Sequence, residues 1–317
     1  MGKRFSSFFR MLTCYIWISA CVCFLDGCGK KVSNDAFSLE KQSPVSMKDT
    51  FGEFREPDAP GTRTQGNDCV TIDISNASEG YCYVTYTGTN QKVKLQLTGP
   101  DALTYTYNIK NEPACLPLTA GNGKYTIAIF ENISGTEYST AYSGDFEVTV
   151  ENSFGPFLYP NLYVNFDHNS KAVQKSNELA ATTTSDLALV EAVYHFVTST
   201  IVYDKEEAQT VAYDYLPDVD EVLSTKKGIC FDYAALMAAM LRCQSIPTRL
   251  EIGYAKDAYH AWISVYIEDK GWIDGIIEFD GSHWSLMDPT FAASDSSESD
   301  VKEFIGDGSN YNTLYTY

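Results

Sequence analysis

The hydrophobic pattern of this chain changes period once, near residues 154–160, and that change limits what can fold on either side. Between 67 and 152, apolar residues recur in short alternating runs at 70–74, 81–86, 93–97, 103–109, 125–131 and 145–150. A period of two sends every second side chain to one face of a strand. The stretches between them, at 75–80, 88–90, 99–101 and 121–123, are rich in Gly, Asn, Asp and Ser, which supply turns. Six or seven strands at this spacing predict an antiparallel β-sandwich of immunoglobulin-like type, with no catalytic constellation in it. Beyond the boundary the period becomes helical. Ser185-Asp186 opens a helix with Leu187, Val190, Tyr194 and Val197 on one stripe. A second helix is predicted over 231–243, with Leu236, Met240 and Cys243 aligned, and strands follow near 249–254, 261–267 and 284–287. Helix, helix, then strands predicts an α+β domain with an antiparallel sheet over 156–317.

The N-terminus reads as a targeting segment. Lys3, Arg4 and Arg10 precede a mostly apolar stretch at 11–25, too short for a spanning helix. It ends in Leu25-Asp26-Gly27-Cys28, which resembles the lipobox of bacterial lipoproteins. That resemblance implies cleavage of 1–28, lipidation of Cys28 and a place on the outer face of a bacterial cell membrane. Ile18-Ser19-Ala20-Cys21 is a rival site, and Asp26 is unusual beside the Cys. Residues 29–66, rich in Ser, Asp, Glu, Lys and Pro, read as a flexible tether. The 23 basic and 42 acidic residues give a net charge of −19, which argues against nucleic acid as a partner.

Export changes how the nine cysteines are read. Cys14, Cys21, Cys23 and Cys28 belong to the targeting segment, leaving Cys69, Cys82, Cys115, Cys230 and Cys243. Cys82 pairing with Cys115 or with Cys69 is open, and an odd count leaves at least one thiol unpaired.

One of the five stands in a constellation. Cys230, two residues after Gly228, sits where a helix begins, and unpaired amides there favour a thiolate. His260 opens a strand whose core face is Ala261, Ile263, Val265 and Ile267, while His260, Trp262, Ser264 and Tyr266 face the other way. Asp288 follows the strand at 284–287 and, if that strand pairs beside His260, orients the imidazole; Asp274 competes for the role. Nucleophile, base and orienter are the parts of cysteine-dependent acyl transfer.

Lys227-Gly228-Ile229-Cys230-Phe231-Asp232-Tyr233-Ala234, Leu241-Arg242, Ile246-Pro247-Thr248-Arg249, His260-Ala261-Trp262 and Asp288-Pro289-Thr290 together resemble the transglutaminase-like superfamily, in its exported bacterial branch. The resemblance covers roughly 185–292. It implies a papain-like cysteine fold with Cys230, His260 and Asp288 as the triad. The interval from His to Asp is longer than usual because 269–281 adds a hairpin. The Trp that often serves the oxyanion site is not evident, and Tyr213 or Tyr215 stands near its place. The reading preferred from this resemblance is hydrolysis of a peptide or amide in a substrate at the cell envelope. A cross-linking transglutaminase and a catalytically silent binding or scaffolding protein are the alternatives. No cofactor is implied: the acidic run at 295–300 reads as solvated loop, not a calcium site, and a zinc site of Cys230, His260 and Asp288 is disfavoured.

Overall fold

The structure is a computed structural model that describes residues 54–274, 276–279, 284–287 and 311–317. Cys21, Cys28 and Asp288 lie outside the described residues, as do the targeting segment and most of the tether. Residues 46–317 form one compact unit.

Eight strands come first: β1 (Thr64–Gly66), β2 (Val70–Asp73), β3 (Tyr81–Tyr86), β4 (Val93–Thr98), β5 (Thr104–Ile109), β6 (Ala114–Pro117), β7 (Gly123–Ser134) and β8 (Glu137–Val148). They make two four-stranded sheets, in the orders β1-β2-β3-β6 and β5-β4-β7-β8, and every pairing is antiparallel. The alternation in the sequence is the cause. In β4, Val93, Leu95 and Leu97 are buried while Lys94, Gln96 and Thr98 are half-exposed. Those three meet Ile72, Val84, Leu116, Ile127 and Ile129 in a common core. Each large apolar side chain buried there contributes about 1.5–3 kcal/mol. The sequence missed β1 and β6, whose three and four residues are too short to show a period.

No disulfide joins the cysteines of these sheets, and all five described cysteines are free. On the paired strands β3 and β6, Cys82 lies opposite Leu116 and Cys115 opposite Tyr83. Residues directly opposite share a face, so this register points the two thiols to opposite faces.

The remaining elements are α1 (Lys171–Ala180), α2 (Asp186–Thr200), β9 (Val202–Tyr203), α3 (Glu207–Thr210), α4 (Val219–Thr225), β10 (Lys227–Gly228), α5 (Cys230–Arg242), β11 (Thr248–Ala255), β12 (Ala258–Ile267), β13 (Gly271–Ile273), β14 (Ile276–Phe279), β15 (Trp284–Met287) and β16 (Tyr311–Thr316). Ser185 caps α2, its hydroxyl accepting from the Ala188 amide at 3.2 Å. The buried stripe of α2 is Leu189, Val190, Val193, Tyr194 and Val197, so Leu187 falls at its margin.

α5 is the centre of this half. It packs against β11 and β12 and against α1, α2 and α4. Ala234, Ala235, Ala238 and Ala239 are fully buried, and such short side chains let neighbouring elements approach closely. Its last residue, Arg242, is 0% exposed. The guanidinium donates to the Thr248, Tyr159 and Tyr317 carbonyls at 2.9, 3.0 and 2.7 Å. One side chain thus ties the helix end to β11, to the segment between the halves and to the residue after β16. Burial pulls its pKa down to about 9.

The antiparallel sheet has the order β13-β12-β11-β16, and β14 and β15 form a separate hairpin. Gly253 of β11 is required where β16 bulges past it: a Cβ there would lie 2.1 Å from the Asn312 carbonyl oxygen. Tyrosines join the halves. Tyr317 packs 5.3 Å from Tyr105 and 6.0 Å from Tyr107, ring centre to ring centre. Among the described residues, no helix is long and apolar enough to cross a membrane.

Candidate active site

Cys230 is the first residue of α5, its thiol free and partly exposed. The turn that presents it is held from several directions. β9 and β10 pair in parallel, Val202 with Lys227 and Tyr203 with Gly228, so the chain before the Cys is fixed. The Asp204 amide donates to the Gly228 carbonyl at 2.9 Å. From inside the helix, the Tyr233 hydroxyl donates to the Ile201 carbonyl at 2.7 Å. The first amides of a helix have no partner within it, and the dipole makes that end favourable to an anion. A thiolate at Cys230, or an oxyanion beside it, would sit in that field.

Asp232 lies one residue further along the helix than Phe231. Its carboxylate reaches back to accept from the Ile229 amide at 2.8 Å and also takes the Tyr215 hydroxyl at 2.6 Å. It is 1% exposed. Burial pushes its pKa up to about 6; the Tyr215 and Ile229 hydrogen bonds pull it down, and Glu207 and Glu221 add to the rise. The sequence analysis assigned Asp232 no role. An acidic residue at the third helical position is the reach-back half of a capping box, but Ile229 at the cap position has no acceptor and hid the signal.

β12 brings up the second candidate. α5 covers the face of the sheet that carries Leu250, Ile252, Ala261 and Ile263. Tyr163 packs on that side, 5.3 Å from Phe231 of α5 and 4.6 Å from Tyr317. The pleat turns His260, Trp262 and Ser264 to the opposite face, as the alternation predicts. His260 is buried opposite Gly253, stacked at 6.2 Å and 27° on Trp262, with Tyr311 at 6.5 Å. The preceding residue, Tyr259, is 61% exposed. Its phenol is held above the ordinary value by partial desolvation first, then by Tyr315, Tyr254, Tyr213 and Cys230. α5 thus packs on β12, while His260 is turned to the other face of the sheet.

Asp274, the competing carboxylate, is exposed just after β13, which pairs with β12. It acts on Arg249 and Glu251, and the Arg249 guanidinium lies 3.7 Å over the Trp272 ring. Glu251 is buried and accepts from the Ser264 hydroxyl at 2.6 Å. Of the two tyrosines near the expected oxyanion site, Tyr215 is committed to Asp232. Tyr213 is 81% exposed, with the Lys94 ammonium 5.4 Å from its ring. Among the described residues, no three His, Cys, Asp or Glu side chains gather as a metal ion would need.

Residues 173–275 match the family model of the transglutaminase-like superfamily. The match includes Cys230, His260 and Asp274 and stops short of Asp288. No curated protein matches the chain. Solved structures do. One is a Cytophaga hutchinsonii protein provisionally described as a cysteine protease, 16% identical, TM-score 0.36, covering 67% of this chain and 74% of that one. Another is the periplasmic domain of TgpA from Pseudomonas aeruginosa bound to ethylmercury, 15% identical, TM-score 0.34, covering 73% and 96%. A third is red sea bream transglutaminase, 14% identical, TM-score 0.27, covering 66% and 48%. At such similarity none of the three bears on the chemistry of this chain.

Proposed function

With a transglutaminase-like domain at residues 173–275 as the premise, we propose that this chain is an exported, lipid-anchored, cysteine-dependent enzyme that hydrolyses a peptide or amide bond at the cell surface. The observation that carries the reading is the place of Cys230: a free, partly exposed thiol at the first residue of an otherwise buried helix that packs on the strand bearing His260. In this scheme the thiolate attacks the amide carbon, forming a C–S bond and an oxyanion that amides at the α5 start stabilise. His260 would give its proton to the departing amine as the C–N bond breaks. Water, deprotonated by His260, then cleaves the thioester and restores the thiol. Asp288 is the orienter we assign from its Asp288-Pro289-Thr290 context, with Asp274, just after β13 and beside β12, as its rival. Cys28 would carry the lipid, the tether would hold the folded part off the membrane, and a peptide or protein of the envelope would be the substrate. The strand orders of the N-terminal sheets support an immunoglobulin-like module.

One observation favours a second reading, a surface binding module whose thiol is unused. His260 is seated on Trp262, on the sheet face that α5 does not cover. Incubation with a mixed peptide digest separates the readings. New termini or released ammonia that vanish in Cys230→Ala support the hydrolase, and incorporation of a fluorescent primary amine instead supports cross-linking. Neither product, with the protein folded, sinks both enzymatic readings.

A further inference from the structure

The proposed chemistry makes no use of the carboxylate of Asp232, and two donors converge on it. The Ile229 amide reaches one oxygen at 2.8 Å and the Tyr215 hydroxyl the other at 2.6 Å. Gly228 completes the arrangement, since a Cβ at that position would lie 2.7 Å from the Asp232 Cβ. The segment 228–230, which delivers the thiol, is thus moulded onto this side chain. Capping alone does not need such burial. Asp218 caps α4 through the Asp220 and Glu221 amides, both at 3.0 Å, in exposed bonds. An ionisable group enclosed beside a nucleophile, and served by a phenol from a separate segment, fits a functional role better than a structural one.

We propose that Tyr215 and Asp232 are positioning residues for Cys230, a couple whose grip on the Ile229 amide holds the thiol at the head of α5. The inference rests on Cys230 being the nucleophile. The grip depends on pH. A charged carboxylate accepts both bonds in their charge-assisted form, and protonation weakens both. The groups acting on Asp232 are Tyr215 from the segment before α4, Glu207 from α3 and Glu221 from α4. Burial and the two glutamates bring its titration to about pH 6, inside the working range of a reactive thiol.

The test is the pH profile of Cys230 alkylation by iodoacetamide in the full folded chain, followed by mass mapping. The parent should show an acid limb near pH 6 in addition to the ionisation of the thiol. Tyr215→Phe removes a bond that pulls the carboxyl down, so its limb should move up by about one pH unit. Asp232→Asn should abolish the limb, and circular dichroism should show both variants folded. A purely structural couple would lower the melting temperatures and leave the profiles superimposed on the parent's, which overturns the proposal. If Asp232→Asn does not fold, Tyr215→Phe alone decides. A parent thiol titrating like free cysteine overturns the functional reading and this one with it. An activated parent whose profile neither variant alters overturns only the couple.

Discussion

In the N-terminal sheets Cys82 and Cys115 are enclosed by strands, and burial pushes the Cys82 thiol up to about 12 and holds Cys115 well above its ordinary value. In the helical half Cys230 stands partly exposed at a helix start, where unpaired amides and the dipole favour the anion. The same side chain is inert filler in one region and a candidate nucleophile in the other. Backbone position, more than residue type, separates them: a strand interior offers a thiol only apolar neighbours, while a helix start offers oriented N–H groups.

The comparison can be broken most forcefully at Cys230. Cys230→Ser should lower hydrolysis at least ~10³-fold with little change in stability, as loss of a nucleophile does; measurable turnover near the parent rate would end the account. Next in size is Arg242→Met, which removes the donor from three buried carbonyls and should cost about 3–5 kcal/mol in urea denaturation. His260→Ala should slow alkylation of Cys230 at pH 6.5 by roughly ten- to a hundredfold, as the thiolate loses its imidazolium partner. An unchanged rate would assign His260 to packing on Trp262.

Asp232 offers a smaller, signed effect. Its folded pKa is raised from 3.8 to about 6, so the folded state holds the proton more tightly than the unfolded chain. Stability from this group is present below about pH 4 and is lost as pH rises through 6, by up to roughly 3 kcal/mol. Asp232→Asn should flatten that slope, seen as parent and variant melting temperatures converging at low pH. Smallest is Cys82→Ala, which should cost about 1 kcal/mol and leave Cys230 labelling untouched.

The architecture was legible because its signals are periodic. The alternation in β4, β5 and β7 and the stripe of α2 follow from burial on one face. Also legible was the split in β12 between the Ala261 face and the His260 face. The hidden features lack a period or depend on register. β6 is four residues long, and the mismatch of Cys82 and Cys115 is set by strand pairing, which local pattern does not encode. Arg242 reads as an ordinary helix-end cation, yet it is buried on carbonyls from residues 159, 248 and 317. Asp232 escaped notice because its partner Tyr215 lies 17 residues away across α4.

The central claim is that Cys230 alone among the described thiols is activated. Native protein treated with iodoacetamide at pH 6.5 and mapped by mass spectrometry tests it directly. The account predicts alkylation at Cys230 well ahead of the partly exposed Cys69, with Cys82, Cys115 and Cys243 labelled only after unfolding. A Cys230 that reacts no faster than free cysteine, or stays as protected as Cys82, would contradict it.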